Sequence, residues 1–129
     1  MLSAFYAAIL ALLIVYLSLR VIKLRGIKKV RLGDGQDQEL QVAIRAQANA
    51  TEYIPISLIL LFLLESNHAY TLILHLGGSA TVIGRLLHAY GLIKNQLPLR
   101  ILGMQITIFN LIALALANLV YFGINYITV

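Results

Sequence analysis

Four long apolar runs separated by three short polar stretches set the pattern of this chain. Residues Met1–Leu19 carry no charge, and about 20 apolar residues suffice for a helix to cross a bilayer. A basic stretch follows from Arg20 to Leu40, with Gly33-Asp34-Gly35 marking a turn within it. The second run extends to Leu64 and is interrupted by Arg45, Asn49 and Glu52, and Glu65-Ser66-Asn67-His68 read as a polar turn. The third run contains His75, Arg85 and His88, and the connection Lys94–Arg100 contains Pro98. A last run reaches the C-terminus without a charge. The pattern predicts one domain over residues 1–129, an all-α membrane protein with spans at about 1–22, 41–64, 69–92 and 101–126. Short connections favour an up-down-up-down bundle of neighbouring antiparallel helices.

Composition supports this class and removes others. Of 129 residues, 60% are hydrophobic and 12% charged, about half the charged share of an ordinary soluble domain. A disordered chain and a nucleic-acid reader are excluded on that balance, although ten Lys/Arg face five Asp/Glu. Without a cysteine there is no disulfide, thiolate metal site or cysteine nucleophile. The first run has no basic n-region or small-residue cleavage site, and its positive charges follow the apolar segment, so it is expected to be retained. Arg20, Lys23, Arg25, Lys28, Lys29, Arg31, Lys94 and Arg100 all fall in the first and third connections. The positive-inside rule then puts loops 20–40 and 93–100 in the cytosol and both termini outside it. Most of these cations are expected to fix topology and to touch anionic lipid headgroups. Gly33–Glu39 lacks the spacing of a calcium loop, and the Asn49-Ala50-Thr51 sequon lies within a span.

Charges inside the membrane are the informative feature. Arg45, Asn49 and Glu52 are spaced i, i+4, i+7 and share one helix face, flanked by Tyr53. A charge at mid-span costs roughly 2.5–3.5 kcal/mol on insertion scales, so Glu52 should face another helix, another subunit or a watery cavity. Arg85 and His88, three residues apart, add a second polar cluster at the same level. In the structural reading Glu52 and an arginine form a buried ion pair that fixes register. In the functional reading these residues hold a small zwitterion or anion, because arginine forks bind carboxylates bidentately. His75 and His88 have no matching histidines on another helix, so haem is not expected, and no metal cluster is apparent. Gly77, Ala80, Gly84 and Gly91 read as a close-packing stripe, Asn110, Asn118 and Asn125 as interhelical hydrogen-bonding residues, and Pro55 as a possible kink.

These residues resemble the MAPEG family, the membrane-associated proteins in eicosanoid and glutathione metabolism. Arg45-Ala-Gln-Ala-Asn49-Ala-Thr-Glu52-Tyr53-Ile-Pro55 is similar to the family's R-x-x-x-N-x-x-E-x-x-P signature, and Arg85-Leu-Leu-His88-Ala-Tyr90-Gly91 to its helix-three block. Length and the basic first loop fit a small bacterial member in the inner membrane. The resemblance implies a homotrimer with glutathione sites between subunits and no metal or haem. It implies that Arg45 and Asn49 hold carboxylate or backbone groups of glutathione, Glu52 its amino group, and that Tyr53 lines the wall. Arg85 and His88 are expected from the neighbouring subunit. Arg100 matches the arginine that stabilises the thiolate, the one catalytic assignment, and Arg25 or Lys23 the first-loop residue that reaches into the site. Where family enzymes carry a tyrosine just past the helix-three glycine, this chain has Leu92. The implied function is a glutathione S-transferase or peroxidase acting on lipophilic electrophiles. Two alternatives stand beside it: a small proton-coupled multidrug transporter using Glu52, and a non-catalytic binding protein of the same fold.

Overall fold

A computed structural model describes residues 1–129. Four helices account for the fold: α1 (Leu2–Lys28), α2 (Gln38–Ser66), α3 (Thr71–Ile93) and α4 (Leu97–Ile127). Each is long and apolar enough to cross a membrane. Helices α2 and α3 form the central pair. Helix α1 packs against both on one side and α4 against both on the other, so α1 and α4 do not touch. The four helices fall where four spans are expected; α1 and α2 extend beyond the expected bounds at their ends, α4 begins before its own, and α3 begins two residues inside its own.

The first connection is much shorter than the basic stretch Arg20–Leu40. Helix α1 continues through Arg20, Lys23 and Arg25 to Lys28, and ends at Lys29 in the left-handed conformation, φ 57°. Arginine and lysine are good helix formers, and their long stems let the charged ends leave the apolar layer without unwinding the backbone. The remaining turn contains Gly33 and Gly35 at φ 70° and 57°. Asp37 then caps α2 by accepting from the Leu40 N–H at 2.9 Å, and Lys28 bridges to Asp37 and Glu39 at 3.1 and 3.3 Å.

At the opposite end, Glu65 is part of α2 rather than of a turn. Its carboxylate accepts from the Leu2 and Ser3 N–H groups at 2.6 and 2.9 Å and from the Ser3 hydroxyl. An anion thus sits on the positive end of the α1 dipole and satisfies donors that the helix leaves free.

Only 27 of 129 residues are buried, as fits a surface that faces hydrocarbon. Three apolar clusters run along the bundle axis, around Leu61 and Leu114, around Leu10, Leu17 and Ile54, and around Leu24 and Leu40. Lipid is as apolar as leucine, so close packing and interhelical hydrogen bonds hold such helices together. Asn110 Nδ2 donates to the Gly77 carbonyl and to Thr81 Oγ1 at 3.1 and 2.9 Å. Asn118 Nδ2 reaches the Leu60 carbonyl at 3.0 Å, and Asn125 reaches Asn67 Oδ1 at 3.0 Å. All three asparagines therefore tie α4 to another part of the bundle. Pro55 lies inside α2 without ending it.

Candidate functional site

Three helices present i, i+4 pairs, one each from two of them and two from the third, to a common cavity of about 520 Å³ near the basic-loop end of the bundle. Helix α2 supplies Arg45 and Asn49, α3 supplies His88 and Leu92, and α4 supplies Arg100 and Met104, with Leu97 and Ile101 completing the wall. Side chains four residues apart stack on one helix face, which is why short sequence blocks converge here. The volume lies within the range of small-ligand sites, ~300–1,000 Å³.

Close backbone approach between α3 and α4 creates this arrangement. A Cβ at Gly91 would meet the Arg100 backbone, and a Cβ at Gly103 would meet the His88 backbone. Hydrogen in place of those methyl groups lets Arg100 come level with His88. The α3–α4 turn is tight, with Asn95 at φ 54°. Helix α4 starts at Leu97, with Pro98 in its first turn, so Arg100 is already helical and its position is fixed by the backbone.

Beneath the cavity floor lies Arg85, 1% exposed. Its Nε and Nη2 donate to Thr107 Oγ1 at 3.1 and 2.8 Å, and Nη1 donates to Asn49 Oδ1. The Thr107 hydroxyl in turn donates to the Gly103 carbonyl at 2.8 Å. The guanidinium carbon also stands 5.1 Å from the centre of the Tyr53 ring, within cation–π range. Each nitrogen of Arg85 is thus engaged inside its own subunit, and the network locks α2, α3 and α4 together. Asn49 faces both ways, lining the cavity while holding Arg85.

The residues singled out in the sequence therefore divide. Arg45, Asn49, His88 and Arg100 meet in the cavity. Arg85 does not reach it as a free fork, being held by Asn49 and Thr107, and His88 lines the cavity together with Arg45 and Asn49 of its own chain. Glu52 is exposed on α2 and is not among the residues that line the cavity. No ion pair joins Glu52 to an arginine, since both salt bridges of the chain involve Lys28, so the buried-pair reading does not hold within one subunit. Arg25 is also elsewhere: its Nη1 donates to the Val30 and Gly33 carbonyls at 3.4 and 2.7 Å, closing the first turn. Tyr90 faces a different groove, between α1 and α3. Nothing else phenolic takes the place of Leu92.

Thr107 escaped the reading of the sequence. Its signal is faint, a lone threonine four residues after a glycine in a helix whose one charge is Arg100. No group of three histidine, aspartate or glutamate side chains converges anywhere in a way that would ligate a metal.

Arg45 and Arg100 are the chemically open groups of the site. Neither makes a side-chain hydrogen bond or ion pair, and both are exposed at its rim. Two free guanidinium forks over a half-apolar wall suit a ligand with carboxylate or thiolate groups.

Comparison with known families matches residues 3–120 to the MAPEG family. The chain is 43% identical over 121 residues to "Inner membrane protein YecN" of Escherichia coli strain K12, covering 94% of this chain and 92% of that protein. The protein of the same name from a second Escherichia coli strain gives the same figures.

Proposed function

The chain belongs to the MAPEG family, and from that premise we propose that it binds glutathione in the Arg45–Asn49–His88–Arg100 cavity and uses it as a co-substrate. The activity is that of a membrane glutathione transferase or peroxidase, and the substrate is a lipophilic electrophile or peroxide that arrives through the bilayer. One observation carries this reading. Two arginines with unengaged forks and one amide line a single cavity that contains no carboxylate of its own. Such a site favours a ligand with excess negative charge, and glutathione carries two carboxylates and one ammonium group.

The chemistry needs no metal. A free thiol has a pKa near 8.5, and an adjacent guanidinium lowers it, raising the thiolate fraction at neutral pH. Arg100 at the rim is the cation assigned to the sulfur. Arg45 and Asn49 hold carboxylate or backbone groups, and the Arg85–Thr107 network keeps Asn49 in place.

Glu52 and Arg25 enter this reading through assembly. A bare carboxylate at mid-helix is expensive against lipid, and a homotrimer would cover the outer edge of α2 with a neighbouring subunit. Glu52 would then face the ligand's ammonium group, and Arg25 would approach from the adjacent first loop. With the basic loops on the cytosolic side of the inner membrane, the cavity opens toward the compartment that holds glutathione.

Leu92 favours a second reading, binding without turnover. It lines the cavity at the position where family enzymes carry a phenol. The first test is glutathione binding to the detergent-purified protein. Binding in the millimolar range or tighter is expected, and Arg45→Ala should weaken it by one to two decades, the ~1.5–3 kcal/mol of a charged hydrogen bond. Wild-type protein that binds no glutathione would remove both readings.

A further inference from the structure

A second, apolar site lies on the opposite side of the bundle. The groove between α1 and α3 has a volume of about 420 Å³, and ten of its eleven lining residues are hydrophobic. Its α1 wall contains Ile9, Leu13 and Tyr16, and its α3 wall contains Leu86, Tyr90 and Lys94. The steps from Ile9 to Leu13, to Tyr16 and to Arg20 are four, three and four residues, so Arg20 continues the same helix face one turn beyond Tyr16. Each wall therefore runs from aliphatic residues to a tyrosine and then, four residues on, to a cation.

The two walls also match in level. Helices α1 and α3 run in the same direction, two crossings apart, and Tyr6 is hydrogen-bonded to His75 Nδ1 at 2.7 Å near their starts. Leu17 and Ala89 share one packed cluster further along. Tyr16–Arg20 and Tyr90–Lys94 accordingly reach the same membrane surface together. From Ile9 to Arg20 the helix rises about 16 Å at ~1.5 Å per residue, close to half of a ~30 Å hydrocarbon layer. The groove is one leaflet deep.

Arg20 supplies an independent observation. Its Nε is buried and has no hydrogen-bond partner, the one such side-chain atom in the chain. Buried donors are normally satisfied, and Arg20, one turn beyond the residues that line the groove, has no ion-pair partner within the chain. Tyr16 and Tyr90 remain 58% and 53% exposed, at the depth where aromatic side chains meet lipid headgroups.

We propose that the α1–α3 groove is a binding site for an anionic phospholipid of the leaflet on the basic-loop side, with one acyl chain along Leu13 and Leu86 and the phosphate between Arg20 and Lys94. The profile of the groove, from aliphatic through phenolic to cationic, follows that of half a bilayer, which is why a bilayer lipid is the occupant. The site is separate from the cavity of Arg45 and Arg100 and does not depend on what that cavity binds.

Native mass spectrometry of the detergent-purified protein tests it, with phosphatidylglycerol, phosphatidylcholine or palmitate added in turn. Wild type should retain phosphatidylglycerol in preference to both other lipids. The Arg20→Gln/Lys94→Gln double variant should lose about thirtyfold in phosphatidylglycerol retention, the weight of two cations against an anionic headgroup, and leave phosphatidylcholine unchanged. Leu86→Trp, which narrows the groove at an exposed position, should weaken both phospholipids, and Lys23→Gln, outside the groove, should change neither. Circular dichroism confirms that each variant is folded before it is scored. Equal retention of the two phospholipids, a preference for palmitate, or full phosphatidylglycerol retention by the double variant would overturn the proposal. So would a change of oligomeric mass in Leu86→Trp, which would give the groove to a second copy of the chain.

Discussion

Two arginines of one helical bundle play opposite parts, and their surroundings decide which. Arg85 is enclosed and fully partnered by Asn49 and Thr107, whereas Arg45 stands at the cavity rim with its fork free. Arg85→Met should therefore destabilise the detergent-solubilised protein by about 3 kcal/mol, because Asn49 and Thr107 lose a buried partner. Arg45→Ala should leave the melting temperature nearly unchanged and raise the apparent glutathione constant. Arg100 should separate from both by acting on the thiolate. Arg100→Ala is expected to lower kcat and to move its pH dependence upward, with little change in binding. Thiolate absorbance measured across pH on the two proteins reads this out, and an unchanged thiol pKa would assign the sulfur to another cation. Leu92→Tyr restores a phenol to the cavity wall. If its absence limits turnover, the variant gains kcat at unchanged glutathione affinity.

At the scale of helices, the approach of α4 to α3 brings Arg100 level with His88. Gly91 and Gly103 face the backbone atoms of Arg100 and His88, so there is no flexible side chain to yield. Gly91→Val should push the start of α4 away and cost binding and stability together, measurable as a lower melting temperature with weaker glutathione binding. Glu65→Ala tests the other end. It should cost about 1 kcal/mol by freeing the α1 N–H groups, without altering the site. Asp37 adds a pH dependence. Its carboxyl is held below the usual range, chiefly by the Leu40 N–H and then by Lys28. A depressed folded value means that its stabilisation is complete above the ordinary carboxylate pKa and is lost as pH falls through the lowered one. Hydrogen exchange at the Leu40 amide should accordingly stay slow down to about pH 4, near the unperturbed aspartate value, and speed up only in stronger acid. Helix count, spans and the small-residue stripe were legible in the sequence because hydropathy and spacing encode them directly. The ends were not. Arg20–Lys28 reads as a loop by charge, yet lysine and arginine stems extend a helix, and Glu65 reads as a turn although its partner lies over sixty residues away at Ser3.

For the whole molecule, a single chain leaves the polar edge of α2 uncovered. Spacing alone placed Arg45, Asn49 and Glu52 on one face, but an arc of that width spans both a cavity and an outer edge. Asn49 turned inward to Arg85 and Glu52 outward. Which of the three faces a neighbour is a property of the assembly, and one sequence carries no direct signal for it. The absence of cysteine makes this testable with a single reporter. In membranes, Glu52→Cys should react with a hydrophilic maleimide, because the proposed trimer would place position 52 on a watery cleft between subunits. S-methylglutathione, which has no free thiol, should slow that reaction by filling the cleft, and Leu116→Cys, 57% exposed in the wild-type chain on apolar α4, should stay unreactive as the lipid-facing control. If the reagent fails at position 52 as it does at 116, the edge of α2 faces hydrocarbon, and the inter-subunit placement of Glu52 is wrong.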